Sequence, residues 1–428
     1  MVSAGSLVLR FSGGCELTLP FASSMLLALL ASMLLAAASA APLRGHALVG
    51  YWHDFQNPSG PTYPLRMVSQ DWDVVIVAFG TNQGNGNVGF ELDKGAGSEA
   101  AFIDDIAALQ ARGKKVVLSL GGQDGSVSLS NDMERHNFVT SVYGLLRKYG
   151  FDGIDLDLES GISQGLPIIN NLIIGVKELR RRVGDSFYLS MAPEHPYVQG
   201  GYGAYGSIWG AYLPIIDGLR NELSIIHVQY YNNGGFVYTD GRMINEGTVD
   251  CLVGGSLMLM DGFRVNYGQG WKFNGLRPDQ VAFGVPSGPQ AAGRGFVTPT
   301  TVTRALTCLA HGVGCDTIKP KNTYPTFRGV MTWSINWDRF DRFAFSQPAR
   351  HALDSLGHNS FVAPVYAATR TQEEETAPVP TPEPTHKAQR KPGCGDNTGC
   401  YYAPTSMSLV GWSAQDCGKM PFFQWCGP

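Results

Sequence analysis

The sequence predicts an α/β fold, a (β/α)8 TIM barrel, followed by a small C-terminal disulfide-rich module. Two observations carry this expectation. Eight short apolar, β-branched runs recur over about 310 residues, each trailed by a polar or glycine-rich stretch and then a helical period, the repeat of a parallel sheet wrapped by crossover helices. No Gly-x-Gly-x-x-Gly follows the first run, and chemistry-bearing residues sit at the C-terminal ends of several runs, which favours the barrel over a doubly wound open sheet. A chain of 428 residues that is 44% hydrophobic can build one such barrel with smaller pieces to spare.

In order, strands are expected at 46–51, 73–80, 115–121, 153–158, 187–192, 223–231, 280–285 and 328–334. Between them, 101–110, 137–149, 167–182 and 301–310 have the spacing of amphipathic helices. The 167–182 segment ends in Arg180, Arg181 and Arg182, as a helix C-terminus prefers. Ahead of the barrel, the apolar run Met25 to Ala38 ends in Ala38-Ser39-Ala40, the small-x-small pattern of a signal-peptide cleavage site. A secreted, extracellular protein is expected, with residues 1–40 as signal peptide, a signal anchor as the competing reading and Met25 as a second candidate start. The catalytic-size domain is expected at 44–358, then a Pro/Glu/Thr-rich linker at 361–393 and a four-cysteine, aromatic-rich module at 394–428.

The cysteines divide accordingly. Cys308 and Cys315 are close enough in sequence to close a small loop, and Cys251, in an apolar setting, reads as a buried free thiol. Cys394, Cys400, Cys417 and Cys426 crowd a segment too short to build a core unaided, so two disulfides are expected there, with three connectivities open. The aromatics of this tail, among them Tyr401, Trp412 and Trp425, suit a carbohydrate-binding surface or a miniature core. A net charge of −4 speaks against nucleic-acid or anionic-membrane partners. No Cys/His spacing suggests zinc, so no metal and no cofactor is expected.

The fourth strand carries the chemistry. It reads Phe151-Asp152-Gly153-Ile154-Asp155-Leu156-Asp157-Leu158-Glu159. Side chains on a strand alternate faces, so Ile154, Leu156 and Leu158 point toward the helices while Asp155, Asp157 and Glu159 point into the barrel and its C-terminal mouth. Three carboxylates on one buried face cannot all stay ionised, so a proton must be shared and the outermost group should have a raised pKa. A carboxyl kept protonated near neutrality is what glycosidic cleavage needs as a general acid.

Asp152-x-x-Asp155-x-Asp157-x-Glu159 resembles the signature of glycoside hydrolase family 18. Leu118-Ser119-Leu120-Gly121-Gly122 resembles that family's Ser-x-Gly-Gly motif, Gln229-Tyr230-Tyr231-Asn232 its Gln-x-Tyr-Asn motif, and Met331-Thr332-Trp333-Ser334 its tryptophan strand. With Met191-Ala192-Pro193-Glu194, the pattern is closest to the bacterial-type chitinases. The resemblance implies a chitinase acting on chitin or chitooligosaccharides by a substrate-assisted retaining mechanism, an exception to the two-carboxylate scheme. Glu159 would be the acid and then the base, and Asp157 would orient the substrate acetamido group. Asp155 would share a proton with Asp157, and Tyr231 would donate its hydroxyl to the acetamido oxygen. Trp333 would floor the site, with Gln229, Asn232, Met191 and Glu194 lining it and Tyr51 and Phe79 flanking it. It also implies cis peptides at Ala78-Phe79 and Trp333-Ser334. Trp52, Tyr197, Tyr202, Tyr205, Trp209 and Tyr212 are candidates to extend the cleft.

The interval from Ser287 to Phe327 leaves little room for the inserted domain of deep-groove members, so an open, endo-acting cleft is expected. A monomer is expected. The alternatives are an endo-β-N-acetylglucosaminidase acting on N-glycans, and a non-catalytic chitin-binding lectin.

Overall fold

The computed structural model describes residues 43–204, 206–266 and 271–357, with shorter pieces at 6–10, 16–20, 400–402, 407–409, 414 and 423–427. Eight parallel strands close on themselves. They are β1 (Ala47–His53), β2 (Val74–Gly84), β3 (Lys115–Gly121), β4 (Gly153–Asp157), β5 (Tyr188–Met191), β6 (Ile225–Gln229), β7 (Val281–Pro286) and β8 (Gly329–Trp333). Pairing of β8 with β1 and of β1 with β2 completes the ring, so all eight expected strands are present in one (β/α)8 barrel.

The helices depart from a uniform repeat. Between β1 and β2 the chain makes only the 3-10 turn Leu65–Met67. The α-helices of six or more residues are α1 (Glu99–Gln110), α2 (Asp132–Tyr149), α3 (Pro167–Val183), α4 (Leu213–Gly218), α5 (Val249–Asp261), α6 (Pro299–His311), α7 (Ile335–Phe340) and α8 (Ser346–Ser355). Helices α1, α2 and α6 begin two to five residues ahead of their expected starts. The reason is capping: Ser98, Asn131 and Thr298 accept hydrogen bonds from the Ala101, Glu134 and Thr301 amides. These polar residues satisfy otherwise orphaned N–H groups before the apolar period starts.

Strand alternation divides the core in two. Leu48, Val75, Leu118, Ile154, Leu156, Leu158 and Leu189 face the helices in one cluster, while Val49, Tyr51, Ile76, Val117, Tyr188 and Met331 fill the barrel interior in another. At the N-terminal pole, the buried Arg350 of α8 pairs with Asp73 at 2.6 Å, and Asp73 also accepts from the Leu48 amide. The last helix is thereby tied to the seam between β1 and β2.

Cys308 and Cys315 form a disulfide and Cys251 is a buried free thiol, both as expected. Before residue 43, Ser6–Arg10 and Glu16–Pro20 pair antiparallel. The apolar run at 25–38 and the linker at 361–393 lie outside the described residues. Most of the tail module does too. Its described strands, Met407–Leu409, Cys400–Tyr402 and Phe423–Trp425, form a three-stranded antiparallel sheet, and Cys426 is disulfide-bonded.

Candidate active site

The site is built around β4. Asp155 is fully buried and accepts three hydroxyl hydrogen bonds, from Tyr51 of β1 at 2.6 Å, Ser119 of β3 at 2.8 Å and Ser190 of β5 at 2.6 Å. Three donors converging from three strands suit a carboxylate acceptor. Two residues on, Asp157 accepts from the Gln229 side-chain amide at 2.8 Å, and the same nitrogen reaches Glu159 at 2.9 Å and the Ala192 carbonyl at 2.9 Å.

Burial pushes the Asp157 carboxyl well above its ordinary range, and the negative charges of Glu159 and Asp155 push it further. Glu159 is also raised, mainly by burial and then by Glu194 and Asp124, against the lowering effect of hydrogen bonds from Gln229 and Asp157. The two titrate as a pair, and one proton held between them relieves the repulsion. Proton sharing between Asp155 and Asp157 was the expectation. In this structure Asp157 instead engages Gln229 and Glu159, while three hydroxyls occupy Asp155. Tyr231 is 5% exposed, and burial followed by the charge of Asp157 and Glu159 raises its hydroxyl pKa, so it remains a donor across the working range.

Above the carboxyls lies a cleft of about 1050 Å³, lined by Tyr51, Phe79, Asp157, Glu159, Gln229, Tyr231, Asn232 and Trp333 among others. Its aromatic wall is nearly parallel: Phe79 and Trp333 lie 5.9 Å apart at 13°, and Phe55 and Phe79 lie 6.5 Å apart at 22°. His53 stacks on Trp333 at 5.5 Å. Flat apolar faces next to amide and carboxyl groups fit the alternating apolar and hydroxyl faces of a pyranose. The Ala78-Phe79 and Trp333-Ser334 peptides are cis.

The paired glycines after β3 have a steric reason. Gly121 has φ +116° and a Cβ there would lie 2.2 Å from the Asp157 carbonyl oxygen; Gly122 has φ +82° and a Cβ would lie 2.7 Å from the Phe79 ring. Any side chain would push the β3 rim away from the carboxylate strand or from the aromatic wall. Asn232, at φ +68°, accepts from the Gly293 amide at 2.9 Å, which ties the end of β6 to the loop after β7.

Several expected lining residues are elsewhere. Met191 packs in the cluster facing the helices, because on β5 it alternates with Ser190 and Ala192, which point inward. Glu194 is not among the cleft-lining side chains; it accepts from Asn233 at 2.6 Å, its backbone bridges to Gln229, and its charge raises the pKa of the pair. Trp52 is buried against Phe102. Tyr212 spends its hydroxyl on the β4 backbone and Tyr197 on the Glu159 carbonyl just past it, Tyr202 binds the Thr239 carbonyl, and Trp209 is exposed and not among the cleft-lining residues. Tyr205 lies outside the described residues. Conversely, Phe55, Asn57, Asn82, Gln123, Asp124 and Trp337 line the cleft without having been singled out. Their position in or just past the C-terminal ends of the strands was the available signal, since that rim is where a barrel places its site. Among the described residues, no three His, Cys, Asp or Glu side chains converge as a metal site requires.

Comparison with known proteins agrees with this geometry. Residues 47–249 match the family model described as glycosyl hydrolases family 18. The chain is 42% identical over 333 residues to a chitinase of Paenibacillus xylanexedens, covering 74% of this chain and 64% of that one. It is 42% identical over 336 residues to chitinase D of Niallia circulans, with 74% and 64% covered. This chain thus spans under two thirds of the length of either. Among solved structures it resembles a family GH18 chitinase from Chromobacterium violaceum, with 62% identity, a TM-score of 0.72, and 73% of this chain and 84% of that chain covered.

Proposed function

This chain belongs to glycosyl hydrolase family 18, and from that premise we propose that it is a chitinase that cleaves β-1,4 links between N-acetylglucosamine units with retention of configuration. The observation that carries the proposal is the Asp157–Gln229–Glu159 group, a proton-sharing carboxyl pair held by one amide beside the stacked Trp333. Glu159 gives its proton to the glycosidic oxygen as that bond to the anomeric carbon breaks. The substrate's own acetamido oxygen attacks the same carbon and forms an oxazolinium ion. Asp157 holds the acetamido N–H, its negative charge balancing the cation, and Tyr231 donates to the acetamido oxygen. Glu159, now a carboxylate, takes a proton from the water that opens the ring.

Endo cleavage is part of the proposal. Among the described residues between β7 and β8 there is the helix α6 and its disulfide-closed loop but no strand, which favours an open groove over a walled tunnel. Secretion is proposed as well, from the apolar run and its cleavage pattern, and a disulfide suits an oxidising compartment.

One experiment tests the reading: the wild type and Glu159→Gln are incubated with N-acetylglucosamine oligomers, colloidal chitin and an N-glycosylated protein, with the anomer of the first product followed by NMR. Expected are β-anomer products of mixed length from chitin, and a loss of about 10²–10⁴ in rate for the variant. Release of glycans without chitin turnover would favour the endo-β-N-acetylglucosaminidase alternative. Early α-anomer, or a variant as fast as wild type, would refute the mechanism.

A further inference from the structure

The backbone at Glu159 lies beyond the sheet that carries it. The regular strand β4 ends at Asp157. On its β5 side the last ladder bond runs from the Ala192 amide to the Leu156 carbonyl at 2.9 Å. Beyond Ala192 the neighbour pairs only with β6: the Pro193 carbonyl accepts from the Gln229 backbone amide at 2.9 Å and Glu194 bridges to Gln229. The Ala192 carbonyl, which would receive the Leu158 amide in a continued ladder, is instead occupied by Gln229 at 2.9 Å. The backbone of Leu158 and Glu159 therefore needs other partners in a buried place.

Two tyrosines from the segment after β5 supply them. The Tyr212 hydroxyl donates to the Leu156 carbonyl at 3.2 Å and accepts from the Leu158 amide at 3.1 Å, filling the place of the missing strand. The Tyr197 hydroxyl donates to the carbonyl of Glu159 itself at 2.7 Å. Both rings are buried, Tyr212 fully and Tyr197 at 4% exposure, and they brace each other edge to face at 6.1 Å.

We propose that Tyr197 and Tyr212 are positioning residues of the hydrolytic reaction, replacing the lost strand pairing so that the Glu159 backbone, and with it the acid's carboxyl, is held at one height beside Asp157 and Gln229. Neither is among the residues that line the cleft. Burial, then the charge of Glu194 and Glu159, pushes the Tyr197 hydroxyl up to about 12, so the brace donates throughout the working range. The proposal rests on the assignment of Glu159 as the acid.

The test is Tyr197→Phe, which removes one oxygen and keeps the ring, assayed on N-acetylglucosamine tetramer beside Glu159→Gln. A misplaced acid costs kcat rather than binding, so kcat should fall about tenfold with KM within about twofold of wild type. The alkaline limb of the kcat profile should move to lower pH, because a Glu159 free to reach water is less desolvated. Tyr212→Phe should act in the same direction. A purely structural tyrosine would lower Tm and leave kcat per folded molecule and the pH profile unchanged, and that result for Tyr197→Phe overturns the proposal. If Tyr197→Phe does not fold, the same reading of Tyr212→Phe decides. Should Glu159→Gln keep full rate, the assignment of the acid fails instead, whatever the tyrosine variants do.

Discussion

Replacing Gln229 with leucine should move the whole pH–rate bell toward alkali. The Gln229 amide donates to Asp157 at 2.8 Å and to Glu159 at 2.9 Å, and both contacts lower the pKa of the carboxyl that accepts them. A hydrogen bond to a charged group is worth about 1.5–3 kcal/mol. One NH2 has two protons for three acceptors, since the Ala192 carbonyl also lies at 2.9 Å, so each carboxyl receives less than a full bond and the lower figure applies. At about 1.4 kcal/mol per pKa unit, that is a shift of about one unit. The donor favours the ionised forms, so its loss raises both macroscopic pKa values of the pair. Both limbs therefore move up together, and the width of the bell is kept. Gln229→Leu preserves bulk, and kcat measured at saturating chromogenic oligosaccharide across pH reads the titration in the bound complex, free of any change in KM. A bell that stays in place, or moves toward acid, would refute the view that this amide sets the proton affinity of the pair.

Two further outcomes follow from the same contacts. The raised folded-state pKa of Asp157 means that its charged form penalises the folded protein; the penalty is absent below the ordinary carboxyl pKa and grows as pH rises through the folded value. Asp157→Asn should thus be inactive yet more stable at neutral pH, with the gain vanishing below about pH 4 in denaturant titrations. Cys315→Ser opens the loop closed by the Cys308–Cys315 disulfide, a separation of seven residues. Chain entropy puts the cost at about 2.5 kcal/mol, seen as a lower Tm, with kcat at ambient temperature unchanged because neither cysteine lines the cleft.

Much of this molecule was legible in its residues in order. The period-two pattern of Gly153 to Glu159 settles which side of β4 is apolar and which is acidic, because alternation is a property of any strand. The eight apolar runs announce the barrel for the same local reason, and Cys308 and Cys315 needed only proximity along the chain. Met191 shows where such reading stops. It stands inside a recognisable motif, yet its place in that motif says nothing of which face of β5 it occupies. The inward neighbours Ser190 and Ala192 reveal that only once β5 is seen beside β4.

What the sequence by itself determined is the set of functional groups and their order along β4. The tertiary structure decided their partners. Nothing local to Asp155 foretells that Tyr51, Ser119 and Ser190 would meet on it from 104, 36 and 35 residues away. Nor does it foretell that Gln229 would join Asp157 to Glu159, or that Tyr197 and Tyr212 would stand in for the strand pairing that ends at Ala192. That neighbouring side chains take opposite faces follows from the strand backbone itself, whereas a proton's position depends on every charge and donor around it, and barrel closure is what brings those together.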